Sequence, residues 1–160
     1  MAVNTKQVAG RRTLHFSSYQ EILDDVRSLA KGPTRQLGNW SLGQICKHLA
    51  KAMDMAVDGP PFRPGWFLRT FGPLFKKRFL SRPMTPGFRL PANAASLLPD
   101  EGDTNESVAI LEKAVQRLQQ TAERKRHPIF GRMTHEEWDR MEFLHCAMHL
   151  SFIVPESAPQ

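Results

Sequence analysis

Four times along this chain an oxygen-bearing side chain is followed three residues later by Glu or Gln, and each time a helix-period apolar pattern begins at once. The pairs are Ser18 with Glu21, Ser41 with Gln44, Asp103 with Glu106, and Thr134 with Glu137. This is the capping-box signature, in which the first side chain caps a helix and the second reaches back to the cap. One match is weak; four, each opening an amphipathic run, constrain the chain to long helices. The first spans residues 19–31, with Ile22, Val26, Leu29 and Ala30 inward and Gly32-Pro33 as its stop. The second spans 42–57, with Leu42, Ile45, Cys46, Leu49, Met53 and Ala56 inward, and ends at Gly59-Pro60-Pro61. The third spans 106–126, with Val108, Leu111, Val115 and Leu118 inward; the fourth spans 135–154 and stops at Pro155. No strand signal of similar quality accompanies them, since the alternation in residues 12–16 is short. The expected fold is all-α: a four-helix bundle with a long Pro-rich, basic crossover between the second and third long helices. At 160 residues the chain is long enough for one cored domain, expected over residues 12–155, with 1–11 and 156–160 as flexible tails.

The crossover, residues 58–102, holds eight of the twelve prolines and most of the charge asymmetry. Between Asp58 and Asp100 there is no acidic residue but there are seven basic ones, which leaves 15 basic against 16 acidic residues in the rest of the chain. The net charge of +6 therefore belongs to one insert. Within it, residues 66–80 are expected to form a short helix interrupted at Gly72-Pro73. From Phe62 to Phe88 aromatic and basic residues interleave. Three readings are open: a lid packing its aromatics on the bundle, a site for an anionic small molecule, or contact with nucleic acid or anionic lipid.

Chemistry points to the last helical segment. His145 and His149 are four apart, so their imidazoles lie side by side on one face, close enough to share one metal ion. From Phe143 to Val154 the segment carries no charged residue, which reads as a helix buried on every side. Buried imidazoles need a partner, and two adjacent ones need a shared carboxylate or metal. His48 could supply a third ligand. It lies roughly 120° from the centre of the apolar stripe of the second helix, on the shoulder with Gln44, Ala52 and Met55, suited to a cleft. Gln44 and His127 are candidates for supporting positions behind the ligands, although the capping box already accounts for Gln44 and a turn accounts for His127. Arg69 and Arg89 of the crossover are candidates for binding an anionic substrate group. No residue is singled out as the catalytic group.

The order helix, Trp40-Ser41, His48-Leu49, long crossover, His145-x-x-x-His149 resembles the DinB/YfiT-like superfamily of metal-binding four-helix bundles. The resemblance covers about residues 12–154. Residues 37–50, Leu-Gly-Asn-Trp-Ser-Leu-Gly-Gln-Ile-Cys-Lys-His-Leu-Ala, and the stretch from His127-Pro128-Ile129-Phe130-Gly131 through Trp138 to Pro155 resemble an uncharacterised bacterial branch of it, a domain of unknown function. The resemblance implies that His48, His145 and His149 bind a divalent metal, zinc or nickel. It also implies activity as a thiol-dependent S-transferase or isomerase using a low-molecular-weight thiol. Hydrolysis is the second chemistry that an open site on three neutral imidazoles would serve. The superfamily often continues the last histidine with Arg-Gly-Gln; here Leu150-Ser151-Phe152 follows, without those polar neighbours.

The expected partner is a small molecule, anionic if the arginines receive it. A non-catalytic binding or stress-response bundle is the alternative from another class, nucleic-acid association the weaker one, and a homodimer stays open. No apolar run approaches the ~18 residues of a membrane span, and the N-terminus has no apolar signal region. Cys46 and Cys146, both among apolar neighbours, read as reduced core residues, so a cytoplasmic location is expected.

Overall fold

The computed structural model describes residues 2–87 and 92–156, so Arg89 lies outside the described residues. The chain is mostly helical. Its elements are α1 (Tyr19–Lys31), β1 (Thr34–Gln36), α2 (Leu42–Asp58), α3 (Trp66–Leu80), α4 (Thr104–Gln120), α5 (His135–Leu150) and β2 (Ile153–Pro155), with 3-10 turns at Thr5–Gln7 and Ala92–Leu97. None of the described helices is long and apolar enough to cross a membrane.

The caps explain where the long helices start. Complete capping boxes form at Ser41 with Gln44 and at Thr134 with Glu137. The other two are half-formed. Ser18 accepts from the Glu21 N–H, but the Glu21 carboxylate turns to the N–H and hydroxyl of Ser17 instead, at 2.7 and 2.8 Å. Asp103 accepts from the Glu106 N–H at 3.0 Å. Each cap satisfies one of the helix's free donors, an effect of about 1 kcal/mol.

The residues expected inward do form the core. Ile22, Val26 and Leu29 of α1, Ile45, Leu49 and Met53 of α2, and Leu111, Val115 and Leu118 of α4 are buried together with Trp138 and Leu150 of α5. Helix α2 packs on both α4 and α5, and α1 packs on the same two helices, an arrangement consistent with the expected bundle.

Several boundaries differ from the sequence expectation, each for a tertiary reason. Helix α4 ends at Gln120, six residues early, because Arg124 folds back and donates to the carbonyls of Leu118 and Thr121. A guanidinium there satisfies open C-terminal carbonyls and complements the helix dipole. The Lys125 N–H then bonds the Ala56 carbonyl at 2.8 Å, diverting the chain toward the end of α2. Helix α5 ends at Leu150 instead of running to Val154. Ile153, Val154 and Pro155 pair antiparallel with Gln36, Arg35 and Thr34, forming a two-stranded sheet that the periodicity did not announce. Helix α3 continues through Pro73, although proline removes one ladder hydrogen bond.

The first residues, read as a tail, make specific contacts. The Val3 N–H donates to Asn39 Oδ1 at 2.7 Å. Arg11 bonds the Ser151 hydroxyl and lies 4.2 Å over the Phe152 ring. Arg12, the first residue of the expected domain, forms a two-point ion pair with Asp25 at 2.6 and 2.8 Å.

The lid reading of α3 does not hold as stated. Gly72 is its one fully buried residue, and the large apolar side chains other than Phe79, which packs on Phe130, face outward.

Candidate metal centre

Helix α2 carries His48 and the neighbouring helix α5 carries His145 and His149, so the packing of α2 on α5 brings the three rings together. Their centroids are 4.7–5.0 Å apart in every pairing. One ring nitrogen from each lies within 4.8 Å of the others, a group that could hold a metal ion. His48 Nε2 and His145 Nε2 are 3.2 Å apart. Two nitrogens bound tetrahedrally at the usual ~2.0–2.1 Å would be about 3.3 Å apart.

The orientation of His48 follows from its other nitrogen. Nδ1 lies 2.7 Å from the carbonyl oxygen of Leu97. A carbonyl only accepts, so Nδ1 carries the proton and Nε2 of the neutral ring turns its lone pair toward the cluster. The 3-10 turn at Ala92–Leu97 supplies this carbonyl; Lys51 fixes the same loop, bonding the Leu98 carbonyl at 2.7 Å and Asp100 at 3.1 Å. His48, on the shoulder of α2, is buried, at 5 % exposure; His145 and His149 are half-buried. Trp40 closes one side, stacked on His149 at 5.2 Å and tilted against His48 at 4.9 Å.

Burial dominates the electrostatics. It pushes His145 down to about 3, with the His48 and His127 rings adding to the effect. It holds His149 well below the ordinary imidazole range, helped by His145, His48 and Arg11. His48 is also lowered, chiefly by burial, against an opposing contribution from its Leu97 hydrogen bond. All three rings are therefore neutral near pH 7 and keep lone pairs available.

The chain belongs to the DUF1569 family. The family model, described as a protein of unknown function, matches residues 8–156. No curated protein and no solved structure matches the chain. The three histidines of this DUF1569 domain thus lie well inside the matched region.

The other candidates fall in different places. Gln44 is engaged in its capping box, its Oε1 accepting from the Ser41 N–H at 2.9 Å. His127 organises a turn: its Nδ1 accepts from the N–H groups of Ile129 and Phe130, both at 3.1 Å, and its ring stacks on Phe130. Arg69 is exposed on α3. Cys46 and Cys146 are free and buried, and burial raises both thiols, which suits inert core residues.

Sequence reasoning missed Glu142. It lies one turn before His145 on the stripe Trp138, Glu142, His145, His149, spaced four, three and four residues apart. Only 2 % of it is exposed, and its Oε2 has no hydrogen-bond partner. Burial pushes its carboxyl up to about 8, with nearby Asp139 adding to the rise. The available signal was the helical spacing, which puts this acid on the same face as the histidines.

Proposed function

We propose that His48, His145 and His149 hold one divalent ion, zinc or nickel. On this reading the chain is a DinB-like four-helix bundle whose metal serves a reaction on a small molecule, thiol-dependent S-transfer or hydrolysis. The observation that carries the proposal is the approach of His48 Nε2 to His145 Nε2 at 3.2 Å while His48 Nδ1 is committed to the Leu97 carbonyl. Rings turned toward one another leave lone pairs facing inward in a buried setting, which is costly unless they share a proton or a cation. Three rings meeting at one point favour the cation.

A divalent ion held by three neutral imidazoles keeps its charge and an open position, so when bound it supplies Lewis acidity and lowers the pKa of a water or thiol placed there. The chain's own residues prepare that position. Leu97 fixes the tautomer of His48. Trp40 backs His149 and excludes water on that side. Glu142, largely protonated at neutral pH, adds little negative charge beneath the rings. Arg69 and Arg89, both of the crossover sequence, are our candidates for receiving an anionic substrate group, and the cytoplasm, where low-molecular-weight thiols are kept reduced, is the proposed location.

Elemental analysis of protein prepared without a polyhistidine tag tests this reading. About one equivalent of zinc or nickel is expected. Protein that arrives without metal and takes up neither ion on titration would overturn it.

A further inference from the structure

Helix α3 presents an apolar face that nothing in the described chain covers. Seven large apolar side chains between Trp66 and Phe79 are 37–74 % exposed. Monomeric proteins seldom leave so many on one element without a use for them.

The helix is held from one side only. Gly72 sits against Ile129, where even a Cβ would overlap the Ile129 carbonyl. Lys76 reaches Glu137 at 2.6 Å and the Arg132 carbonyl at 3.1 Å, and Arg140 donates to the Leu80 carbonyl at 3.1 Å. Phe79 packs its ring 5.1 Å from that of Phe130. At 100° per residue, Gly72 and Lys76 define the inner face. Phe67, Phe71 and Leu74, spaced four and three residues apart, run along the opposite face, with Phe75 beside them. Arg78 continues that stripe one turn beyond Leu74 and Lys77 lies to one side of it; both are exposed, as is Arg82 just beyond the helix.

Charge decides among the occupants such a face could take. There is no carboxylate between Asp58 and Asp100, and Glu137, the acid beside α3, is already paired with Lys76. A second copy docked through this face would set Lys77 and Arg78 against their own equivalents with no acid on the helix to offset them. Nucleic acid would match the charge but leave the Phe67–Leu74 stripe without an apolar environment. An anionic bilayer surface matches both features. Its headgroups attract the basic residues, its acyl boundary accepts the apolar stripe, and the long basic side chains can reach outward to the headgroups.

We propose that α3 is a membrane-surface helix, which docks the protein on anionic lipid through Phe67, Phe71 and Leu74 with Lys77 and Arg78 beside them. The binding is peripheral and reversible. It is independent of the metal reading, because the residues involved lie on the face of α3 turned away from α5.

Co-sedimentation with vesicles tests it, using phosphatidylcholine alone and phosphatidylcholine mixed with phosphatidylserine. Binding to the mixed vesicles is expected to be at least about tenfold stronger and to weaken as salt rises. The double variant Phe67→Ser with Leu74→Ser should bind at least about tenfold more weakly to the mixed vesicles. Its circular dichroism should be unchanged, since both side chains are exposed. Lys77→Glu with Arg78→Glu should remove the preference for phosphatidylserine. No binding to either vesicle would overturn the proposal, as would mixed-vesicle binding unchanged in the serine variant. So would a dimer in sedimentation velocity that this variant dissolves, or nucleic-acid binding with no vesicle binding.

Discussion

The indole of Trp40 lies nearly parallel to the imidazole of His149, with planes 14° apart and centroids separated by 5.2 Å. The same indole is 4.9 Å from His48, so one fluorophore touches two of the three candidate ligands. A paramagnetic ion at the cluster, such as Ni²⁺, is therefore expected to quench Trp40 emission in a saturable way. Trp40→Phe should lose most of this quenching while metal content stays near the wild-type value. Quenching that survives the substitution would mean the ion binds elsewhere.

Replacing His149 by Ala is expected to weaken metal binding by more than the roughly 10–100-fold that losing an outer supporting group costs. The helical circular dichroism should persist, because the apolar core across α1, α2, α4 and α5 does not need the ring. Competition against a chromophoric chelator, run beside thermal melts of metal-free protein, separates the two effects. Unfolding of the variant would make the histidines a structural element.

Glu142 makes stability depend on pH in a defined direction. Its folded pKa, about 8, is above the ordinary 4.5, so the folded state holds the proton more tightly than the unfolded chain. The contribution is fully present below about pH 4.5 and is lost as pH rises through about 8. The Glu142→Gln variant cannot ionise and should escape this loss. It is expected to gain on the wild type by about 1–3 kcal/mol at pH 9, the scale of an unsatisfied buried polar group, and to differ little at pH 5. Urea denaturation at the two pH values measures the difference; an equal effect at both would show that ionisation is not the cause.

Gly72→Ala should loosen α3 selectively. The added Cβ would approach the Ile129 Cγ2 to 2.7 Å as well as overlapping the Ile129 carbonyl. Relief requires α3 to move off the turn at 127–131, at a cost of about 1–3 kcal/mol. Hydrogen exchange in α3 should rise while the core helices keep their protection. Uniform acceleration throughout the chain would instead indicate that α3 is integral to the core.

Local chemistry, readable in the linear chain, determined where the long helices begin and which side chains they bury. Ser41 with Gln44 and Thr134 with Glu137 work over three residues, and the inward sets of α1, α2 and α4 follow from the helical repeat alone. The pairing of His145 with His149 was legible for the same reason, since four residues is about one turn. Other features depend on residues far apart in the chain. Helix α5 stops at Leu150 because Ile153 and Val154 find Gln36 and Arg35, and α4 stops at Gln120 because Arg124 turns back onto carbonyls it has just passed. Along α3 apolar residues occur nearly all round, so periodicity could not say which face would be covered; Ile129 and Glu137 decided that. Glu142 is buried only because the folded core, with Tyr19 nearby, closes over it. The candidate site divides in the same way. Residue types and spacing named its three histidines, while the 3.2 Å between His48 and His145, and the proton on His48 Nδ1, exist only because α2 packs on α5 beneath the Leu97 carbonyl.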